Sequence, residues 1–152
     1  MNSRILAWLL FTVVSPLPVV FAAPALELVV TVSGIEQSKG EIGIALFSSE
    51  NGFPMGPGGL AQVWLPASSA ADGSVSYTFA DLAPGRYAVS ASHDLNGNRK
   101  IDTNWVGIPR EPWGVSNGVR PRLRAPTFAE ASFELHESPE SRSTHITVSL
   151  KD

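Results

Sequence analysis

The chain contains no cysteine and only three histidines among its 152 residues. Without cysteine there is no disulfide bond, no thiol nucleophile and no cysteine to carry a lipid anchor. The sequence also lacks the Gly-x-Ser-x-Gly turn of serine hydrolases and the His-Glu-x-x-His motif of zinc proteases. His93, His136 and His145 lie far apart along the chain. These absences favour a binding protein over an enzyme, and we predict no catalytic residue.

Positive charge is also scarce, because 11 Lys and Arg stand against 14 Asp and Glu and give a formal net charge of −3. Nucleic-acid-binding proteins usually carry a broad basic surface, so nucleic acid is not the expected partner. The basic residues are nevertheless unevenly distributed. One segment of the chain holds Arg99, Lys100, Arg110, Arg120, Arg122 and Arg124.

The only long apolar run lies at the N-terminus, where Arg4 precedes the mostly apolar residues 5–14. Small residues follow at positions 22–25, as they do at a signal-peptidase site. We predict a cleaved signal peptide over residues 1–23, which directs the protein to the periplasm or the extracellular medium. Because two prolines interrupt the run and no second run follows, we expect no transmembrane segment in the mature domain, residues 24–152. Loss of Arg4 leaves a mature net charge of about −4.

Short stretches in which apolar and polar residues alternate run through the rest of the chain, separated by turns rich in Gly and Pro. Alternation with a period of two is typical of half-buried strands, and no stretch shows a sustained helical period. The predicted strands cover residues 26–32, 42–46, 61–65, 74–79, 86–92, 131–135 and 144–150. About seven strands predict an all-β fold, an antiparallel β-sandwich of immunoglobulin-like or transthyretin-like type, with an open barrel as the alternative.

Strands that follow one another along the chain are expected to pair as antiparallel hairpins. The first hairpin is expected to join residues 26–32 to residues 42–46, and the second to join residues 74–79 to residues 86–92. The last two predicted strands are expected to form a third pair.

One stretch, residues 93–102, combines residue types and spacing that suit a hard cation. Its side-chain oxygens recur at alternate positions, as in the Ca²⁺ loop of an EF-hand, and Gly97 allows the chain to turn tightly. Ca²⁺ takes 6 to 8 oxygen ligands, and this run offers about five of them. The predicted ligands of one Ca²⁺ are the side chains of Asp94, Asn96, Asn98 and Asp102 and the carbonyl of Lys100, with Glu111 or water completing the shell.

The match to an EF-hand is incomplete. The sixth position, where the EF-hand has glycine, is Arg99, and the twelfth, where a bidentate Glu closes the shell, is Trp105. A helix-loop-helix is therefore not expected. The alternative to a metal site is an Asx-rich turn, because Asp, Asn and Gly readily hydrogen-bond their own backbone.

Residues 103–126 form a long stretch without clear periodicity, and loops of more than about 12–15 residues are uncommon unless they are functional. We predict that this segment binds an anionic partner, such as an acidic glycan or a lipid headgroup. The alternative is that its tryptophans cap an open end of the sandwich while its arginines only solvate the loop. The predicted contact residues combine aromatic rings and cations, a mix typical of interaction hot spots: Trp105, Arg110, Trp113, Arg120, Arg122 and Arg124.

A hydrolase is the second hypothesis for function. Asp94, Asp102 and Glu111 offer the pair of carboxylates that glycosidases use, and such a site would act on a glycan. Three acids inside a metal-binding pattern are more simply explained as ligands. His93 shows no acid–base partner, because neighbouring residues of a strand point to opposite faces. The binding module therefore comes first.

A linked series of motifs resembles one protein family. The motifs are Leu82-Ala83-Pro84-Gly85-Arg86-Tyr87-Ala88-Val89, His93-Asp94-Leu95-Asn96-Gly97-Asn98, Lys100-Ile101-Asp102-Thr103-Asn104, Gly107-Ile108-Pro109-Arg110-Glu111, Gly114-Val115-Ser116-Asn117 and Ala125-Pro126-Thr127-Phe128. Together they resemble a family of small secreted bacterial proteins known as domain of unknown function 2141. The resemblance implies export and a β-sandwich, and it brings no activity with it. Against the family pattern, Arg99 replaces a glycine, which implies a weaker metal site, and Val115 replaces a phenylalanine, which implies altered packing.

Overall fold

The computed structural model describes residues 25–105 and 109–151 of the chain. The predicted signal peptide, residues 1–23, lies outside this part. Over the two described ranges, no helix is long and apolar enough to cross a membrane.

Strands make up most of the regular structure. They are β1 Leu26–Ser33, β2 Glu41–Phe47, β3 Ala61–Pro66, β4 Ser74–Leu82, β5 Gly85–Asp94, β6 Trp113–Val115, β7 Phe133–Leu135 and β8 Ser143–Ser149. A short helix, α1, covers Phe128–Ala131, and two 3₁₀ turns lie at Ala67–Ser69 and Ser116–Gly118. Each predicted strand is present with shifted ends. β6 is an addition, since three residues are too few for alternation to be recognised.

The strands form two sheets. The smaller sheet has the order β4-β1-β8, and the larger sheet has the order β3-β2-β5-β6, with β7 also paired to β5. Every strand pair is antiparallel apart from β1 and β8, which run parallel. The predicted all-β, antiparallel-rich sandwich is therefore confirmed.

Alternate residues of the long strands share one core between the sheets. On β1, Leu28, Val30 and Val32 are fully buried, and Ile42 and Ile44 of β2 lie in the same cluster. Each such side chain contributes about 1.5–3 kcal/mol by leaving water. The other strands add Phe79, Val89, Leu135 and Val148 to this cluster.

The expected hairpins are wrong. β1 pairs with β4 and β8, whereas β2 pairs with β3 and β5, so the first two strands lie in different sheets. β4 and β5 are likewise in different sheets, and β7 and β8 pair with β5 and β1 instead of with each other. Alternation shows only that one face of a strand is buried. A neighbour in the same sheet and a strand across the sandwich satisfy that requirement equally well.

The chain crosses from one sheet to the other between β4 and β5 through Ala83 and Pro84 alone. The hydroxyl of Tyr87 donates a hydrogen bond of 2.9 Å to the carbonyl of Ala83, and the Tyr87 ring is buried in the core. This contact resembles the tyrosine corner of Greek-key sandwiches. It fixes the direction in which β5 leaves the corner, and thereby the position of the loop that follows β5.

A second, smaller core lies outside the main one. Val115 is buried there together with Ala131. The ring of Phe53 packs edge-on against Phe47 and Phe128, with centroid separations of 5.2 and 6.0 Å. This cluster covers one end of the outer face of the larger sheet and leaves the other end to the loop after β5.

The segment 103–126 is more regular than the sequence predicts. It contains β6 and a 3₁₀ turn that begins at Ser116, whose side chain is buried. The Ser116 hydroxyl accepts a hydrogen bond of 2.9 Å from the N–H of Val89 and donates one of 2.6 Å to the carbonyl of Ala131. These bonds tie the middle of the segment to β5 and α1.

Candidate metal centre

Strand β5 ends at Asp94 and places that residue at the rim of the larger sheet. Asp94 pairs in register with Glu41 at the start of β2 and is fully buried. A carboxylate removed from water must be compensated by hydrogen bonds or positive charge. The groups that surround Asp94 must therefore supply hydrogen bonds or positive charge to its carboxylate.

The backbone of the following loop turns around the Asp94 carboxylate. Oδ1 accepts hydrogen bonds from the N–H groups of Gly97 at 2.8 Å and Asn98 at 3.3 Å, and Oδ2 accepts one from Arg99 at 2.5 Å. Gly97 has a φ of +76°, the left-handed region that glycine enters freely. The first predicted ligand is thus the centre around which the loop folds.

Glu111 closes the loop from the opposite side. It is buried, with 5% relative exposure, although it lies nine residues beyond Asp102. Its Oε1 accepts a hydrogen bond of 3.0 Å from the N–H of Leu95, and its Oε2 accepts one of 3.1 Å from the N–H of Asp102. A single carboxylate therefore joins the start of the loop to its end, where the sequence suggested only a distant supplementary ligand.

The remaining predicted side chains converge on Asp102. The amide of Asn96 donates to Asp102 Oδ2 at 2.5 Å, and the amide of Asn98 donates to Oδ1 at 3.1 Å. The carbonyl oxygens of the same two side chains accept backbone N–H groups, Asn96 from Asn98 at 3.0 Å and Asn98 from Lys100 at 2.8 Å. These are Asx turns, so the local contacts that the turn hypothesis expected are present within the predicted metal loop.

Arg99 occupies the sixth position of the loop, where an EF-hand has glycine, and its backbone lies in the left-handed region that glycine enters freely. Its φ is +57°, which costs a residue with a side chain about 1–2 kcal/mol relative to glycine. The side chain leaves the loop and forms an ion pair with Glu41. Arg99 therefore links the loop to β2.

The oxygen donors of this loop are of the kind that Ca²⁺ takes, since carboxylates, carboxamides and backbone carbonyls are hard ligands. Across residues 25–105 and 109–151, no three Asp, Glu, His or Cys side chains meet closely enough to form a ready cation cluster. A cation here would therefore depend on the two carboxamides as well as on Asp94, Asp102 and Glu111. Their amide groups would have to rotate to present oxygen in place of nitrogen.

His93 precedes the loop and is buried. Its Nε2 lies 2.8 Å from the carbonyl oxygen of Lys39, which can only accept, so Nε2 carries the proton in this contact. The side chain thus has a structural partner.

Trp113 and Arg120, two of the predicted contact residues, pack against each other. Trp113 belongs to β6, and the Arg120 guanidinium lies 4.9 Å from the centroid of its ring. Nη1 of Arg120 also donates to the carbonyl of Lys151 at 3.0 Å. These contacts hold the segment to the C-terminal end of the domain.

The other four predicted contact residues are exposed. Trp105 has 93% relative exposure, and Arg110 and Arg122 are also open to solvent. Arg124 binds Glu130 through two hydrogen bonds of 2.8 and 2.6 Å at the start of α1. This guanidinium, together with the N–H and hydroxyl of Thr127, holds the pKa of the Glu130 carboxyl well below its ordinary value.

Sequence reasoning missed Glu41 as a neighbour of the loop. The residue lies 58 positions before Arg99, and no local pattern marks it. Its position follows from the pairing of β2 with β5, in which Glu41 stands opposite Asp94. The expected hairpin of β1 with β2 did not place β2 beside β5.

Comparisons with known proteins agree with the motif pattern. Searches against curated proteins and against solved structures give no match. A sequence model of one bacterial family matches residues 30–143, which is most of the described chain. The chain therefore belongs to the family described as "Uncharacterized protein conserved in bacteria (DUF2141)".

Proposed function

We propose that this protein is an exported β-sandwich module whose loop at residues 94–102 binds one Ca²⁺ and thereby positions the segment 103–126 to bind an anionic ligand. The observation that carries the proposal is the loop folded around the buried Asp94 carboxylate and closed by Glu111. Export remains part of the proposal, on the basis of the N-terminal sequence pattern.

Charge supports a cation at this position. Asp94, Asp102 and Glu111 contribute three carboxylates to the folding of one loop, and the guanidinium of Arg99 is engaged by Glu41. A divalent ion in this loop would add positive charge beside these carboxylates. The carbonyl of Lys100 and the side chains of Asn96 and Asn98 would complete the ligand set together with water.

Affinity is expected to be modest. The closing acid comes from outside the loop, and Arg99 replaces glycine, so we expect a dissociation constant of about 10⁻⁴ to 10⁻³ M, the range of extracellular modules. At about ten times that concentration, Ca²⁺ should stabilise the fold by about 1.4 kcal/mol through mass action.

The anionic ligand is proposed from exposure and charge. Trp105, Arg110 and Arg122 are exposed, whereas Glu111, an acid of the same segment, is buried and hydrogen-bonded to backbone. Trp113, Arg120 and Arg124 would act by holding the segment in place. An acidic glycan or a lipid headgroup carries the complementary charge.

The carboxylates fit this role better than that of a hydrolase. All four oxygens of Asp94 and Glu111 accept backbone N–H groups, so each carboxylate is held by the loop instead of facing a substrate. Asp102 accepts from two carboxamides. No observation in the described residues favours the hydrolase.

Calcium titration of the mature protein tests the proposal directly. Calorimetry and thermal unfolding in Ca²⁺ or in chelator should show binding and a raised melting temperature. Asp102→Asn keeps the shape of its side chain and should abolish both effects. Glu50→Gln, which removes an exposed acid on another loop, is the matched control and should behave as wild type. A melting temperature that is the same in Ca²⁺ and chelator would reduce the loop to an Asx turn.

A further inference from the structure

A cleft of about 500 Å³ opens on the outer face of the larger sheet, beside the loop that follows β5. Its floor consists of small residues that alternate with the core residues of β2 and β5, namely Gly43, Ala45, Ser90 and Ser92. In register, Gly43 stands opposite Ser92 and Ala45 opposite Ser90. Ala45, Ser90 and Ser92 have short side chains and Gly43 has none, so the sheet surface forms a depression there, and the indole of Trp64 occupies the part above Gly43.

Trp64 of β3 forms one wall of the cleft. A Cβ placed on Gly43 would lie 2.6, 2.8 and 3.1 Å from three neighbouring atoms of the six-membered ring of Trp64. Such similar distances mean that the indole lies face-down over Gly43. Trp64 is only partly buried, so the ring presents its uncovered surface to the cleft.

Polar groups stand around this aromatic wall. Gln62, Ser92, Lys100 and Thr103 line the cleft, and their side chains make no hydrogen bond or ion pair with other residues that the structure describes. Ser90 is different, because its hydroxyl donates to the carbonyl of Pro54 at 2.7 Å. The cleft thus offers four polar side chains that can meet a ligand.

The charge of the cleft is positive. Arg99 and Lys100 lie on its lining, and none of the described residues that line it is Asp or Glu. Arg99 is paired with Glu41, so Lys100 is the cation that a ligand would meet. A low-charge floor with one ammonium group at its edge favours a ligand with a single anionic group.

We propose that this cleft binds a short saccharide that carries a carboxylate, such as a uronic acid. The C–H face of a sugar ring packs on an indole, its hydroxyl groups suit Gln62, Ser92 and Thr103, and its carboxylate suits Lys100. The volume lies within the 300–1,000 Å³ that is usual for small-molecule sites.

Among the described residues, this site shares Thr103 with the segment 103–126, whereas the exposed ring of that segment, Trp105, does not line the cleft. Residues 99–103 contribute one wall, so Ca²⁺ in the loop would hold that wall in place. The floor and the Trp64 wall belong to the sheet, however, so the cleft proposal stands whether or not the loop binds Ca²⁺.

Calorimetric titration with di- to tetrasaccharides of uronic acid, in Ca²⁺ and in chelator, tests the cleft, with glucose oligomers of the same length as neutral probes. Trp64→Ala should weaken uronate binding about tenfold through loss of the aromatic wall. Lys100→Gln should weaken it about threefold to tenfold, and should leave binding of Ca²⁺ unchanged because the backbone carbonyl is retained.

Two variants distinguish binding in the cleft from binding elsewhere on the protein. Lys39→Gln removes an exposed lysine outside the cleft and should bind uronate as wild type does. Trp105→Ala removes the exposed ring of the segment 103–126 and measures the share of uronate binding that this other surface carries. Loss of binding in Trp105→Ala but not in Lys100→Gln would overturn the cleft and support the segment 103–126. Equal binding of acidic and neutral oligomers, or no binding of either, would also overturn the proposal. The protein could also bind uronate in chelator and show the same melting temperature with and without Ca²⁺. That result would support the cleft and refute the calcium site.

Discussion

Arg99 and Glu41 meet through two hydrogen bonds, with Nε 2.9 Å from Oε2 and Nη2 3.0 Å from Oε1. The pair joins the loop after β5 to the first residue of β2, and the hydrogen bond from Arg99 lowers the pKa of the Glu41 carboxyl. The EF-hand has glycine at this position of its loop, and glycine has no side chain to make such a link. The ion pair therefore adds a contact between the loop and β2 that an EF-hand loop does not have.

Replacement of Arg99 by glycine, together with removal of the Glu41 charge, should raise the affinity of the loop for Ca²⁺. The double variant Arg99→Gly/Glu41→Gln removes both charges of the ion pair, relieves the left-handed strain at position 99 and keeps the net charge of the rim. We expect Ca²⁺ to bind about threefold to tenfold more tightly, because the loop then has the glycine that an EF-hand has at this position. Calorimetry would measure the change in affinity. Weaker binding would show that the Arg99–Glu41 ion pair supports Ca²⁺ affinity more than the left-handed backbone at position 99 reduces it.

Glu111 should be essential to the loop even in the absence of calcium. Glu111→Gln replaces one acceptor oxygen by an NH₂ group, which cannot accept from the N–H of Leu95 or Asp102. We expect a loss of about 1–3 kcal/mol of unfolding free energy, since a buried N–H is left without its partner. Urea unfolding in chelator measures the loss, with Glu134→Gln on the exposed face of β7 as the control. A variant as stable as wild type would mean that the loop closes without Glu111.

Acid should weaken the contacts at α1. The pKa of Glu130 in the folded protein lies below its ordinary value of 4.5, chiefly because of the Arg124 hydrogen bond. A carboxyl with a lowered folded pKa stabilises the protein at pH values above the unfolded pKa, and this stabilisation is lost as pH falls through the folded pKa. Wild type should therefore be more stable than Glu130→Gln at neutral pH, and the difference should shrink steadily below about pH 4.5. Thermal unfolding of both proteins across this range measures it, and a constant difference would contradict the assignment.

The exposed part of the segment 103–126 should carry the binding of anionic ligands. Trp105→Ala and Arg122→Ala should reduce binding to acidic glycans or to anionic liposomes, and the effect of Arg122→Ala should fade as salt screens its charge. Binding assays at low and high salt, with and without Ca²⁺, measure this. Arg86→Ala removes an exposed arginine on β5 and serves as the control.

Arg120→Ala tests whether Arg120 stabilises the segment 103–126 instead of contacting the ligand. Because Arg120 stacks on Trp113 and hydrogen-bonds Lys151, its loss should lower the melting temperature. If ligand binding is unchanged in Arg122→Ala and Trp105→Ala, the segment is structural and this part of the proposed function fails.

The amino-acid sequence by itself determined which residues form strands and which face of each strand is buried. Val30, Ile44 and Val89 lie in the core as the alternation predicts. It also determined the local geometry of the loop, because Asp94 and the Asn residues bond to backbone groups only a few positions away. Period-two burial and Asx turns are short-range effects that a local pattern records.

Tertiary structure alone decided which strands are neighbours and which distant side chains reach the loop. The placement of β2 beside β5 brings Glu41 to Arg99, and the fold brings the Glu111 carboxylate to the N–H of Leu95, 16 positions earlier in the chain. The ring of Trp64 over Gly43 has the same origin, since it follows from the register of β3 on β2. Local alternation cannot encode these relationships, because a buried strand face gains the same free energy from any apolar partner, and the choice among partners depends on how the whole chain packs.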